Sequence, residues 1–470
     1  MHDDVSAEES RAERRVDAEP TKEFFVSMLI RDIELHDSVI DLLDNSVDGA
    51  RRLRGTGSYS GLHVFVNTAR DEFLIRDNCG GIPVDLARKY AFRFGRDPRR
   101  PANEHTIGQF GVGMKRTLFK IGQKFEIDSK TTTDSFRLEV DVAEWRQLDE
   151  WDFWLSEVAE GENRPEADTG TTIRVTQFND GVASDLTNDR WINRLRTDAR
   201  LKHRLAIARG MTITINEVSL EPLPLGLKES DDLKPARIEH TYNGGGAPVS
   251  LRILVGISDS DPQAAGWYIF CNDRLVLGPD RTSATVWEGG GRHTRGSIPA
   301  YHDQYSRFRG YAFFDCDDAS RLPWTTTKKG VDADSPIWRD TRQRMKNATR
   351  PVIDFLNELD KERTAIEGDR RAGQAGIEDI ELLSELADRK VQDAPVRKLD
   401  EVVGAASFQR PIVNLKALPA PMVWLRFDKP KTQVDEARRL MGGTSERDLP
   451  NKEVGSQAFD YFLQNEGEGE

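Results

Sequence analysis

Cysteine is scarce in this chain. Its 470 residues hold three, Cys79, Cys271 and Cys316, too far apart to read as a disulfide framework or a metal-ligand spacing. A reducing, cytoplasmic compartment suits them. Long apolar runs are missing, and no stretch reaches the roughly 18 residues that mark a membrane-spanning helix. The N-terminus lacks the apolar core of a signal peptide. Asp3, Asp4, Glu8 and Glu9 lead into a run from Arg11 to Arg15, so residues 1–21 read as a disordered tail. Positive charge is in deficit, and a formal net charge of −13 excludes nucleic-acid binding over the whole surface. What remains is a soluble composition, 37% hydrophobic and 31% charged, with length for two or three domains and ample core.

The chemistry is concentrated between Asp41 and Lys115, in three segments spaced by about thirty residues each. The first, Asp41-Leu42-Leu43-Asp44-Asn45-Ser46-Val47-Asp48, sits in an amphipathic helical pattern. Leu35, Val39, Leu42, Leu43 and Val47 recur at three- and four-residue steps, and Asp41, Asn45 and Asp48 share one face. An Asn carbonyl is a neutral hard ligand for Mg²⁺, and a carboxylate one turn upstream can deprotonate a water. The second, Asp77-Asn78-Cys79-Gly80-Gly81-Ile82-Pro83, follows a short strand pattern, Glu72 to Arg76, and ends in a turn signal. A carboxylate at such a strand end can accept from an adenine amine, and the glycines let backbone pass close to a base. The third, Gly108-Gln109-Phe110-Gly111-Val112-Gly113-Met114-Lys115, reads as a loop feeding a helix from Met114 to Ile121. Backbone N–H groups at a helix start favour phosphate oxygens. The glycine spacing is too short for a Walker A loop, and no Ser or Thr follows the lysine.

In this order, the segments resemble the N-terminal ATPase module of the GHKL superfamily, shared by gyrase B, the heat-shock chaperone of that fold, MutL, MORC proteins and histidine kinases. The spelling Ile107 to Lys115, with the preceding Phe92-Arg93-Phe94-Gly95-Arg96, is most similar to the MORC subgroup. The resemblance implies an α+β protein: a GHKL (Bergerat) α/β sandwich, a transducer-like α/β domain and a helical C-terminal region. It implies ATP and Mg²⁺ as cofactors, with Asn45 as the metal ligand, Asp41 as catalytic base and Asp77 on the adenine. Asp48, Gly81, Ile82, Gly108, Gln109, Phe110, Gly111, Val112, Gly113, Met114, Lys115 and Thr171 would line the nucleotide. Thr171 falls in Thr169-Gly170-Thr171-Thr172-Ile173-Arg174-Val175, similar to the family's late Gly-Thr strand. Leu322-Pro323-Trp324-Thr325-Thr326-Thr327-Lys328-Lys329-Gly330 resembles the transducer loop whose lysine, Lys328 with Lys329 as competitor, reaches the terminal phosphate. The kinase branch lacks such a domain, and no helix pair with a phospho-accepting His precedes Lys22. Two departures stand out. Asp41 occupies a position that is commonly Glu, which points to slow hydrolysis or a base elsewhere, such as Glu34. Cys79 occupies a position that is usually Gly and reads as a small buried thiol.

The expected boundaries are 22–220 for the ATPase domain, 221–236 for a Pro/Gly-rich linker and 237–334 for the transducer-like domain. A helical region follows over 335–395, with helices from about Ser335 to Asp369 and from Ile377 to Val391. A second linker spans 396–421, and a small module with an acidic tail spans 422–470, with a strand at Met422 to Phe427 and helices Val434 to Met441 and Val454 to Gln464. Within the first domain, Trp145, Trp151 and Trp154 crowd a helical stretch and read as core. Arg190, Arg194, Arg196, Arg200, Lys202, Arg204 and Arg209 make a basic stretch, either a contact for phosphate backbones or a salt-bridged face. Arg93, Arg96, Arg99 and Arg100 belong to the expected lid. Two functional classes stay open: an ATP-gated, dimerising clamp acting on DNA, and a nucleotide-dependent chaperone or scaffold for protein partners.

Overall fold

Twenty residues, Leu35–Arg54, form the helix around which the molecule is organised (α2), preceded by α1, Lys22–Arg31. Leu35, Val39, Leu42, Leu43 and Val47 are buried on one side of α2, each worth about 1.5–3 kcal/mol of apolar transfer where buried completely. The other side is buried too, although it carries Asp41, Asp44 and Asp48. A helix enclosed all round that presents acids must find cations. It ends at Gly55, whose φ of 59° is left-handed. The computed structural model describes residues 20–31, 33–94, 113–223, 225–288, 298–371, 389–411 and 428–466. The chain divides into two units, Met1–Val413 and Asn414–Glu470.

In the first unit, β1 (His63–Thr68) and β2 (Phe73–Asp77) form a hairpin. Helix α3, Gly113–Ile121, runs directly into β3 (Gly122–Lys130), then β4 (Asp134–Asp141), helix α4 (Val142–Gln147), β5 (Leu155–Glu160) and β6 (Gly170–Phe178). Helices α5 (Asp189–Lys202) and α6 (Arg204–Ala208) lead to β7 (Thr212–Ile215) and β8 (Val218–Ser219). These strands make one eight-stranded sheet, ordered β5-β4-β3-β6-β2-β1-β7-β8, antiparallel except for the β1–β7 pair. The strands outrun the apolar runs that mark them in sequence because ladder pairing sets their ends.

The expected tryptophan core is corrected in part. Helix α4 contains Trp145 alone, which is buried; Trp151 is half-buried and Trp154 is 75% exposed. The packing partners are instead Phe25, Phe94, Phe119 and Phe153, arranged around Trp145 and Trp151. Lys22 seals this cluster by donating to the carbonyls of Trp145, Leu148 and Glu150 at 2.6–2.8 Å, with its ammonium 4.5 Å from the Trp145 ring centroid.

A second, five-stranded sheet comprises β10 (Ala236–Tyr242), β11 (Val249–Ile257), β12 (Gly266–Cys271), β13 (Arg274–Asp280) and β14 (Phe308–Asp315), ordered β10-β11-β14-β12-β13. One face takes the 36-residue helix α7, Pro336–Arg371, through buried Trp338, Met345, Val352, Ile353, Leu356 and Leu359. The other face is covered by the two stretches expected as linkers. Gly226–Lys228 is a wholly buried strand, β9, paired antiparallel with β15, Val396–Lys398. Leu227, Leu399 and Val402 pack on Leu254, Tyr268, Phe270, Tyr311 and Phe313. Proline, glycine and charge around these few leucines hid them from a composition reading. Most of the expected helix Ile377–Val391 lies outside the described residues.

In the second unit, helices α8 (Lys431–Leu440) and α9 (Asn451–Glu466) pack around Arg438, whose Nε donates to the Leu449 carbonyl at 2.8 Å. The expected strand Met422–Phe427 lies outside the described residues. No helix among the described residues is long and apolar enough to cross a membrane.

One glycine makes a sharp stability test. Gly170 has φ 144°, and a Cβ there would sit 1.9 Å from the Asp77 carbonyl oxygen. Gly170→Ala is expected to cost about 3 kcal/mol or more in chemical denaturation, against a change near zero if β6 had room beside Asp77.

Candidate nucleotide-binding site

Asp37, Asp41, Asp44 and Asp48 fall four, three and four residues apart, so α2 carries them in a row up one face. Each of the first three meets cations, and Lys328 is shared between Asp41 and Asp44. Asp37 pairs with Lys329 and lies 3.5 Å from Lys202. Asp41 accepts from Arg116 at 2.8 Å on one oxygen, with Lys328 3.6 Å from the other. Asp44 is fully buried and accepts from Lys328 at 2.8 Å, with Arg274 at 2.9 Å and His203 at 3.6 Å on its other oxygen. Burial pushes the Asp44 carboxyl up, but Arg274 and Lys328 outweigh it and hold the group below the usual carboxylate range. Asp37 is held low in the same sense, burial opposing and Lys329 and Lys202 prevailing.

Asp77 closes the other end of the site. Its carboxylate accepts from the Ser46 hydroxyl at 2.7 Å and from the backbone N–H groups of Cys79 and Thr171 at 2.9 and 3.2 Å. Burial pushes its carboxyl above the usual range, with these three donors pulling back. Helix α2, strand β2 and strand β6 are thereby tied at one acid. Gly81, with φ 71°, lies where a Cβ would be 2.3 Å from the Lys130 carbonyl oxygen. The neighbouring Ile82 N–H donates to Ser129 at 2.6 Å. Cys79 is a buried thiol beneath Gly49, whose added Cβ would meet the Cys79 carbonyl oxygen at 2.6 Å. A side chain at 79 is accommodated because residue 49 has none.

At the loop–helix junction, Gly113 lies against Asp41; a Cβ there would be 3.4 Å from its Oδ2. Met114 is half-buried against the core. Gly108, Gln109, Phe110, Gly111 and Val112 lie outside the described residues, as do Arg96, Arg99 and Arg100. Lys115, expected beside the phosphates, is buried and donates to the Ala91 carbonyl at 2.8 Å. The cation that faces Asp41 is the next residue, Arg116. One residue is about 100° around a helix, so the two cations point to different neighbours. Asn45 is half-buried, and its amide nitrogen has no partner among the described residues.

Two cations arrive from the five-stranded sheet. Asn272 and Asp273 both have positive φ, 46° and 69°, and form the two-residue turn joining β12 to β13. Asp273 is clasped by Arg51 of α2 and by Arg209. The next residue, Arg274, thus reaches Asp44 from a fixed turn. Lys328 is buried with φ 54°, an unusual left-handed backbone for a lysine. Lys329 points one turn away, to Asp37. Glu34, the alternative base, is exposed and 3.6 Å from Arg194. Asp44, Arg116, His203 and Arg274 carry no motif signal that sets them apart from surface charges, and sequence reasoning missed them.

Five of the seven residues of the basic stretch are engaged inside the molecule, while Arg190 and Arg194 are exposed. Arg196 donates to the carbonyls of Ile215 and Asn216, Arg200 to Glu221 and Arg204 to Leu223. Lys202 faces Asp37 and Arg209 clasps Asp273.

Residues 33–171 match the family model of the histidine kinase-, DNA gyrase B-, and HSP90-like ATPases. This part of the chain is similar to a GHKL-type ATPase domain. No curated protein matches the chain. The GHKL fold implies ATP binding and, typically, Mg²⁺, and the residues present fit both. No cluster of three or more His, Cys, Asp or Glu suited to a metal ion exists among the described residues. An ion here would be held through the Asn45 amide oxygen and the nucleotide's own phosphates. The unpartnered Asn45 nitrogen leaves the amide with donor capacity for the same ligand.

His203 gives the site a pH signature. Burial, with Arg274, Lys202 and Lys328 nearby, pushes its pKa down from 6.5 to about 4 despite the opposing pull of Asp44. The unfolded imidazole therefore takes up a proton near 6.5 and the folded one only near 4, so stability falls as pH drops between them. At about 1.4 kcal/mol per unit, the loss is roughly 3 kcal/mol. Urea denaturation from pH 7 to 4.5 is expected to show this decline, and His203→Gln to flatten it. Parallel curves would refute the buried neutral histidine.

Proposed function

We propose that this protein binds Mg·ATP in the GHKL domain, hydrolyses it slowly, and couples the nucleotide state to the five-stranded sheet. The observation that carries the reading is the approach of Lys328 to α2. A lysine 284 residues away in sequence ends 2.8 Å from Asp44, one residue from Asn45. A cation delivered there by a second sheet distinguishes ATP from ADP, because only ATP offers the charge of a terminal phosphate.

The proposed roles follow from the chemistry of each group. Asp77 accepts from the adenine amine and is kept in place by Ser46 and Thr171, while Gly81 and Ile82 supply the close wall. Asn45 donates and accepts at the phosphate end, and a bound Mg²⁺ would neutralise phosphate charge there. Gly113 leaves room beside Asp41, which takes the proton from the attacking water. In the structure both of its oxygens face cations, Arg116 and Lys328. One of these contacts must turn aside before the carboxylate can act. A short side chain and an occupied carboxylate both favour slow turnover. The five-stranded sheet, α7 and the Lys328 loop serve as the transducer, and two GHKL domains associate when ATP is bound.

One observation favours protein partners over DNA as the client. The basic stretch that suggested a phosphate-backbone contact has Arg196, Arg200, Lys202, Arg204 and Arg209 committed to internal acceptors. Salt-sensitive DNA binding that strengthens with a non-hydrolysable ATP analogue would reverse this preference.

Asn45→Ala is expected to abolish Mg·ATP binding in calorimetry. Asp41→Ala is expected to keep ATP affinity within about threefold while turnover falls about 100-fold. Hydrolysis by Asp41→Ala at the parental rate would remove Asp41 as the base.

A further inference from the structure

We propose that Asp44 is a positioning residue of this ATPase: it acts on the nucleotide through Lys328, holding that ammonium ready beside Asp41. The inference rests on the reading of Lys328 as the group that senses the terminal phosphate, and extends it to the residue that places it.

Three observations carry the argument. Asp44 has no solvent exposure, and its two oxygens are divided between partners, Oδ2 for Lys328 and Oδ1 for Arg274. Dehydrating a carboxylate and two cations costs several kcal/mol per ion before their mutual attraction returns it, and apolar residues would fill the same space at least as stably. Stability alone therefore does not account for the cluster. The two cations also differ in mobility. Arg274 follows the turn whose Asp273 is clasped from two sides by Arg51 and Arg209, so the Asp44–Arg274 contact is fixed. Lys328 hangs on a flexible stem from a loop in which its own N–H donates to the Thr325 carbonyl at 2.8 Å. Its ammonium already lies 3.6 Å from Asp41, the acid that borders Gly113. A small rotation carries it from Asp44 to the phosphate end. Finally, the left-handed backbone of Lys328 is strained and persists only because its surroundings over-determine it. Asp44 is the buried group nearest that ammonium.

Asp44 thus sets where the lysine waits, and Arg274 keeps Asp44 from following it. The second lysine is excluded from the role by its own anchor on Asp37, a turn below.

A double-mutant cycle tests this on the full chain, with kcat and KM for ATP and the Kd of ADP measured for Lys328→Met, Asp44→Asn and the pair. Lys328→Met is expected to lower kcat about tenfold or more, with ADP affinity within about twofold. Asp44→Asn is expected to reproduce that split, and the pair to match Lys328→Met within about twofold. Additive losses in the pair, or Asp44→Asn at parental kcat, would overturn the positioning role while leaving Lys328 as sensor. Parental kcat in Lys328→Met would overturn the sensor reading itself, and this inference with it. If Asp44→Asn alone does not fold, the comparison of the pair with Lys328→Met still decides, because both remove the unmatched lysine charge. There a further loss of more than about fivefold in the pair refutes the inference.

Discussion

A carboxylate removed entirely from water is the constraint on which this molecule turns. Asp44 lies on a helix that is covered on every side, and its charge is retained only because Arg274 and Lys328 are brought to it. Leaving both cations out would strand a buried ion at a cost of about 3–5 kcal/mol. Since one cation comes from the β12–β13 turn and the other from the loop before α7, the five-stranded sheet cannot separate from α2 without exposing or orphaning that charge. The cluster is therefore both a packing contact and a latch between two sheets.

The rest of the architecture is arranged so that the latch is specific. The β12–β13 turn places Asp273 between two arginines and Arg274 toward Asp44, and these opposite charges on adjacent residues leave one register for docking. Asp37, Asp41 and Asp44 form a graded row. The first is half-buried and holds Lys329; the second faces the nucleotide side and holds Arg116; the third is sealed. Charges on the row become more dehydrated toward the sheet, where pairing is strongest per contact.

How much of this was legible in sequence depends on where the partner of each residue lies. Asp41, Asn45 and Asp48 could be placed on one face because a helix fixes spacing locally, and the strand ending at Asp77 announced itself by its glycines. Lys115 and Arg116 could not be told apart, because a helical phase of one residue depends on how the preceding loop enters α3. The basic stretch looked like a surface because its acceptors, the carbonyls of residues 215–223 and the acids of α2, are set by tertiary packing. The stretches around Leu227 and Leu399 looked like linkers because a three-residue strand leaves little periodicity to read. Asp44 was hidden for another reason: a buried acid looks like a solvated one until its cations, more than two hundred residues away, are in place.

The substitution of aspartate for the usual glutamate at position 41 acquires a physical reading from these contacts. A longer carboxylate would carry its oxygens one methylene further from α2. The shorter Asp41 instead lies within the row, 2.8 Å from Arg116 and 3.6 Å from Lys328, and shares Lys328 with Asp44. On the proposed reading, base and sensor are rivals for one ammonium: the lysine can neutralise Asp41, remain on Asp44 or turn to a phosphate, but it cannot do all three. If Lys328 moves onto a phosphate, one oxygen of Asp41 is released, so on the proposed reading arrival of the terminal phosphate and liberation of the base are the same event. On that reading, hydrolysis is gated by the docking of a distant loop, and a slow rate is the expected companion of a tight switch.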